Sequence, residues 1–537
     1  MKSKFELKIE LGDLQVKNGD IDESLKYFKS AYDIAVLLED KKYQVDALIR
    51  ITESYFQMGK IEISIKYAGV VEELLRDLDY VKGKLDISLY LLKLYDVRNE
   101  NYKAREIGNE ALKLCTEEHI IYKGRILNGL AMVYREIASV DEQLDLLKQS
   151  LACFEKENCL RGILGVLNNI GASYSDKLQD NEKALEYFFK LKEQSEDSNY
   201  SEFNVYAYFN IGEAYYKCLR FDEAIYWCKL GLEKAVGAHM EPMVFYSYVI
   251  LTSINLSINN YKEAYEYFNL ASEELTTFPD QGVRLPWYYK SAASLYLEFG
   301  ETNKARYNIK QGLNMLGEEE TIIKWNTGIV YEFMKLKEAK NKTDILGAIE
   351  GITYILSKYK SPKVISDIVY EVALELVELE QRELAFKLVD EYEEMAIENG
   401  YISLKHKYIE ALRCNNEEKE QMLNSTLELA AEKQNSKLQL KICNSLGECY
   451  FKEDDYVKAI SCYVDACIQV KNIVFSVPVE FRIQFINSNN MLKYFNILAQ
   501  AKMSDSKLDG NNYKKYDCIN NENELIEFFE DLDKIIL

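Results

Sequence analysis

Along most of the chain, apolar residues recur at offsets of three, four and seven, the spacing that lines one face of an α-helix. A finer pattern repeats on that background. A small residue is followed three positions later by an aromatic at Gly171 and Tyr174, Gly212 and Tyr215, Ala293 and Tyr296, and Gly447 and Tyr450. In the same frame, equivalent positions fall at Gly12, Thr52, Leu92, Ala131, Gly171, Gly212, Thr252 and Ala293, with spacings of 40, 40, 39, 40, 41, 40 and 41. Ala373 follows Ala293 by 80 residues and Gly447 follows after another 74, which leaves room for a degenerate copy in each gap. The period predicts about twelve units.

A second small residue lies twelve positions after the first, at Ser24, Ser64, Ala104, Ala224, Ala264, Ala305, Ala385 and Ala459, with Gln143 as the bulky exception. Unit five reaches its copy, Ala184, one residue late. Four residues on comes a larger side chain such as Phe28, Leu147, Phe188, Phe268, Ile309 or Tyr463. These offsets put the residues on one helical face, so each unit is predicted to be two helices joined by a polar turn such as KNGDIDES or FGETNKA. The small residues let the two helices approach closely. One such pair cannot bury its apolar stripe alone, so stability has to come from stacking on neighbouring units. Contacts confined to neighbours predict an elongated molecule. Pro242, Pro279, Pro286, Pro362 and Pro478 are expected between helices, where a missing N–H costs nothing.

The stretch from Ser445 to Ala466, SLGECYFKEDDYVKAISCYVDA, resembles the tetratricopeptide repeat, and Asn210 to Ala235 is similar to it as well. The likeness covers roughly residues 5–473. It departs from the family in a period near 40 rather than 34 and in lacking the closing proline, and so looks like the long-repeat variety of bacterial regulatory and signalling proteins. The fold this implies is all-α, an α-α superhelix of about twelve helical pairs. The units are expected near 5–40, 44–79, 84–118, 123–157, 163–197, 203–237, 243–277, 285–317, 321–360, 364–399, 401–433 and 437–473, making an array over 1–475. Capping helices are expected over 476–502. A polar linker and an acidic amphipathic tail are expected over 503–537, the tail helix needing a partner for its apolar face either at the end of the array or on another protein.

Composition narrows the function. The chain has 66 basic and 88 acidic residues, a net charge of −22, which repels phosphate and argues against direct contact with nucleic acid or an anionic membrane. It has 5 prolines in 537 residues, which permits long helices. No run of about 20 apolar residues is present, and the charged start, MKSKFELKIELGD, is unlike a signal peptide; a cytoplasmic location is expected. Eleven scattered cysteines with no Cys-x-x-Cys pair fit free thiols in a reducing compartment. No nucleotide-binding, metalloprotease or hydrolase motif occurs, and the three histidines, His119, His239 and His406, are far apart in sequence. No catalytic residue, metal site or cofactor is therefore expected. The one calcium-like string, Asp505 to Gly510, has lysine and tyrosine where acidic ligands belong.

What the resemblance does imply is a groove. In the family the first helix of each repeat lines a concave surface, through residues three or six before the first small residue and one or four after it. Carried onto this chain, the groove positions are Arg125, Asn128, Arg135, Asn168, Tyr206, Phe209, Glu213, Tyr216, Tyr246, Trp287 and Lys290. Asparagine amides can grip a peptide backbone, and aromatic rings supply pockets for its side chains. Two uses remain open for Asn128 and Asn168, ligand contact or bridging of neighbouring helices, and for Tyr206 and Phe209, ligand contact or inter-repeat core. The two-lysine carboxylate clamp of chaperone-binding repeats is missing, its positions holding Asn128, Asn169, Tyr206 and Asn210. The expected function is a non-enzymatic scaffold or receptor for a protein or peptide. The alternative is the sensory arm of a bacterial signalling or transcription-regulating protein whose output domain lies outside this chain.

Overall fold

The structure is a computed structural model. It describes the backbone of all residues except 138, 197, 280, 318–320, 399–402, 505–514 and 537, and the side chains of these and of 135–137, 283, 395–398, 416–417 and 504 are outside the description. The described residues form an all-α array of paired helices with no strand. The pairs, called repeats one to twelve, begin with Lys2–Lys17 and Ile21–Leu37 and end with Ser436–Lys452 and Tyr456–Ser476. Three further helices follow, Arg482–Ser488, Leu492–Ser504 and Glu522–Ile536. No single helix among the described residues is long and apolar enough to cross a membrane. All eleven cysteines are free thiols.

The sequence frame marks where the helices touch. Every residue at the second small position, from Ser24 to Ala459 and including Gln143, is buried to 1% exposure or less. At Gly12, Gly212 and Gly447 of the first small position the second helix of the same repeat leaves no room for a side chain. A Cβ on Gly12 would overlap the Phe28 ring, one on Gly447 the Tyr463 ring, and one on Gly212 would lie 2.9 Å from the backbone nitrogen of Cys228. Because backbone cannot swing aside as a ring can, Gly212→Leu is expected to force these helices apart at a cost of about 1–3 kcal/mol or more, read as a lowered unfolding midpoint.

The helix ends carry local reasons for stopping and starting. Asp20, Asp40, Thr321, Asn341, Ser403, Asn415, Asn435 and Asp455 accept hydrogen bonds from first-turn N–H groups. Ser139 and Glu142 cap each other reciprocally. Pro242, Pro286 and Pro362 lie inside the first turn of their helices rather than between helices, a position where the ring fits because those N–H groups have no intrahelical acceptor. The extra residue of repeat five is absorbed by a π-helical turn over Ser173–Leu178.

The chain divides into two compact bodies, Met1–Ser173 and Tyr174–Leu537. In the N-terminal body, Arg50 bridges the first two repeats through Asp13, with Nε to Oδ1 at 2.9 Å and Nη2 to Oδ2 at 3.1 Å. In the C-terminal body the expectation that each repeat touches only its neighbours fails. Gln179 Oε1 accepts from the N–H groups of Lys360 and Ser361 at 2.7 and 2.9 Å. Lys437 Nζ reaches Glu298 at 2.7 Å, Gln484 donates to the Gly300 carbonyl, and Asn489 donates to that of Glu298. The cause lies in the polar side chains of the turns and of the helices after repeat twelve, which the period of the small residues does not report. The segment Glu522–Ile536 buries Leu525, Phe528, Leu532 and Ile535 in the core that includes Val470 and Val474 of repeat twelve and Leu498 of the closing helices that follow it. Within the stretch read as linker, Tyr516 and Ile519 are buried as well.

Candidate functional site

In the C-terminal body, the first helices of repeats six to ten present one face each to a shared cavity of about 250 Å³. These helices are Ser201–Lys217, Glu241–Ser257, Leu285–Glu298, Ile322–Glu338 and Pro362–Glu378. Each contributes residues three or four apart, as with Glu213, Tyr216 and Lys217 or Ser253 and Ser257, so a single helical stripe from every repeat faces inward. The small residues Gly212, Thr252, Ala293 and Ala373 are buried on the same helices. The π-helical turn and the residue after it bring Ser175 and Gln179 to the same lining.

The charged groups of this lining are unevenly committed. Lys217 Nζ lies 3.0 Å from both Asp176 and Glu213 and donates to Ser175 Oγ at 2.9 Å. Burial alone would lower its pKa, but the two carboxylates outweigh it and hold the ammonium charged well beyond its ordinary range. Asp367 is paired at 3.1 Å with Lys405, which also holds Glu371 at 2.7 Å. Lys290, by contrast, has no acidic partner among the described residues. Tyr359 donates to Asn326 Oδ1 at 2.6 Å, and the Asn326 N–H donors are unspent among the described residues. The indole N–H of Trp287 is likewise without an acceptor among the described residues. Its ring is held in place by Tyr246, at 6.1 Å and 62°, which in turn lies 4.8 Å from Phe209. Burial raises the Tyr246 phenol well above its ordinary pKa, so it stays neutral.

No protein-family model matches the chain, and no curated protein matches it. Solved structures that it resembles include a Rap protein complexed with competence and sporulation factor, at 13% identity over 74% of this chain and 99% of that one with a TM-score of 0.44. NprR in complex with its cognate peptide NprX gives 17%, 67%, 100% and 0.45, and aspartyl phosphate phosphatase F from Bacillus subtilis gives 13%, 65%, 93% and 0.41.

Of the residues expected in a groove, Glu213, Tyr216, Trp287 and Lys290 meet in this cavity. Phe209 does not line it. At 2% exposure its ring is packed between helices, where it lies against Tyr246 of the next repeat, although Lys290 at the same offset in repeat eight faces the cavity. Tyr206 and Tyr246 are half-buried against the same cluster. Arg125 and Asn128 line a different cavity, of about 430 Å³, in the N-terminal body. There Asn128 Oδ1 accepts from Asn169 Nδ2 at 3.0 Å, a bridge between repeats four and five. Asn168 is half-buried in that body, and the side chain of Arg135 lies outside the described residues, as does Asp505 to Gly510.

Sequence reasoning missed Lys217, Asn326, Tyr359 and Asp367. The offset of six before the small residue, applied to Ala373, would have named Asp367. Asn326 and Tyr359 belong to repeat nine and the turn after it, where the small-residue signature is missing and no frame was available.

Proposed function

We propose that the protein is a non-enzymatic receptor for an extended peptide, which it holds on the inward face of repeats six to ten. The observation that carries the reading is the chemistry left over in the cavity. Trp287 Nε1, Asn326 Nδ2 and Lys290 Nζ are all donors, all unspent among the described residues, and set beside the rings of Tyr216 and Tyr359. Such a set suits a ligand rich in acceptors, namely backbone carbonyls and a carboxylate, with an apolar side chain between them. The acids of the lining do not suit proton transfer, since Glu213 and Asp367 are each tied to a lysine held strongly protonated.

A library of synthetic peptides with free or amidated C-termini, screened by Trp fluorescence and quantified by calorimetry, tests this. Trp287→Ala is expected to weaken the best peptide by about 2 kcal/mol or more, roughly thirtyfold, as truncation of a buried aromatic anchor does. Lys290→Met should remove about 1.5–3 kcal/mol from acidic or free-carboxylate peptides and little from amidated ones, at unchanged melting temperature. Peptides that bind both variants as tightly as the parent would place recognition elsewhere.

A further inference from the structure

Repeats ten and eleven meet around a cluster of polar groups that their own packing does not satisfy. His406 and Glu410 are four residues apart on Leu404–Arg413, hence on one face, and Glu393 comes from Arg382–Glu398. One ligand atom from each lies within 4.8 Å of the other two. His406 is 8% exposed, and among the described residues neither its Nδ1 nor its Nε2 has a hydrogen-bond partner; Glu410 Oε1 is buried and makes no hydrogen bond, its nearest charged neighbours being Arg413 Nη1 at 3.3 Å and His406 Nε2 at 3.9 Å. The imidazole face is covered by the Tyr370 ring, stacked at 5.0 Å and 22°, so only the ring edges are open to a partner.

The charges also fail to balance. Arg413 serves three carboxylates, Asp390 at 2.8 Å, Glu410 at 3.3 Å and Glu393 at 3.9 Å. Three negative charges against one positive leave a deficit of two beside an imidazole with both nitrogens idle. Asp390 is largely exposed and screened by water, but Glu393 and Glu410 are only 34% and 26% exposed, and their shared excess is costly unless a cation meets it.

We propose that Glu393, His406 and Glu410 bind one Zn²⁺ ion, which staples repeat ten to repeat eleven. A dication cancels the deficit of two, and a ring nitrogen with two carboxylate oxygens is a donor set that zinc accepts, leaving a fourth position for water. A tetrahedral ion with bonds near 2.1 Å keeps its ligand atoms about 3.4 Å apart, so the three must close in by about an ångström. The partly exposed Glu393 and Glu410 can do so by side-chain rotation. The placement makes structural sense, because repeat eleven, like repeat nine, lacks the small-residue signature that ties the remaining hairpins together.

Chelator-stripped full-length protein titrated with ZnCl₂ tests this by stoichiometry, by melting temperature, and by the visible spectrum of a Co²⁺-substituted sample. The expected result is one tight equivalent, a raised melting temperature, and Co²⁺ bands of nitrogen and oxygen coordination. Glu393→Gln and His406→Gln should each weaken binding by at least the roughly 10–100-fold that even outer-sphere partners are worth. Should His406→Gln fold poorly, Glu393→Gln at the half-exposed position remains decisive. Zinc that leaves the melting temperature unchanged, binds parent and Glu393→Gln alike, or gives a cobalt-thiolate band would overturn the proposal. So would a cluster that takes up only a proton at His406.

Discussion

Replacing Glu378 by alanine is expected to cost about 3–5 kcal/mol, because it strands two lysines that the carboxylate joins. Glu378 ends the first helix of repeat ten and pairs through Oε1 with Lys441 of repeat twelve and through Oε2 with Lys493 of the closing helices. All three side chains are less than a third exposed, so solvent screens the pairs weakly. Burial works against the charge, yet the two lysines prevail and bring the Glu378 pKa down from 4.5 to about 2. Lys437, with Lys337 nearby, holds Glu298 at about 2 against the same burial. A carboxylate depressed in the folded state stabilises it fully above the unfolded pKa and loses that contribution as protons bind. The difference between parent and Glu378→Ala should thus be largest at neutral pH and shrink as pH falls from about 4.5 toward 2. Urea unfolding at pH 7 and pH 3 measures it. A gap that is constant over this range would show that the loss comes from packing and not from charge.

Phe528→Ala is expected to cost about 3–5 kcal/mol, felt first in the C-terminal helix. Phe528 has no exposed surface and lies edge-on to Phe495 at 5.7 Å and Tyr516 at 5.2 Å. A helix of 15 residues is marginal alone in water, so Glu522–Ile536 depends on this docking. Amide exchange in 522–536 should speed up markedly while repeats one to nine keep their protection. Unaltered exchange in that helix would mean that Lys471 with Asp533, and Phe475 stacked on Phe529 at 4.9 Å, suffice to hold it.

How much of this was legible in the sequence follows from which forces leave a periodic trace. Close approach of two helices demands a small residue at a fixed offset, so Gly12, Gly212 and Gly447 announced their crossings, and the late arrival of Ala184 announced an extra residue that the π-helical turn takes up. A family frame places a residue on the inner face only where the frame is intact, which is why Trp287 and Lys290 were found and Asn326 was not. The same frame put Phe209 on the open face, although a large ring at that offset gains more from the neighbouring repeat than from water. The meeting of Glu393 with His406 and Glu410 left no trace at all, since it joins two helices through side chains with no repeating counterpart.

The contacts made by Gln179 and Glu298 change what sort of folding unit the C-terminal body is. A linear array with only nearest-neighbour interfaces can fray from its ends one repeat at a time, and its stability is close to a sum over repeats. Here Gln179 is tied to Ser361, 182 positions away, and Glu298 to Lys437, 139 positions away. Such ties add sequence-distant contacts that have to close before they contribute, which slows folding relative to a purely local array. They also couple the loss of one end to the loss of the other, so this body should melt in one cooperative step rather than in a staircase of partly folded forms.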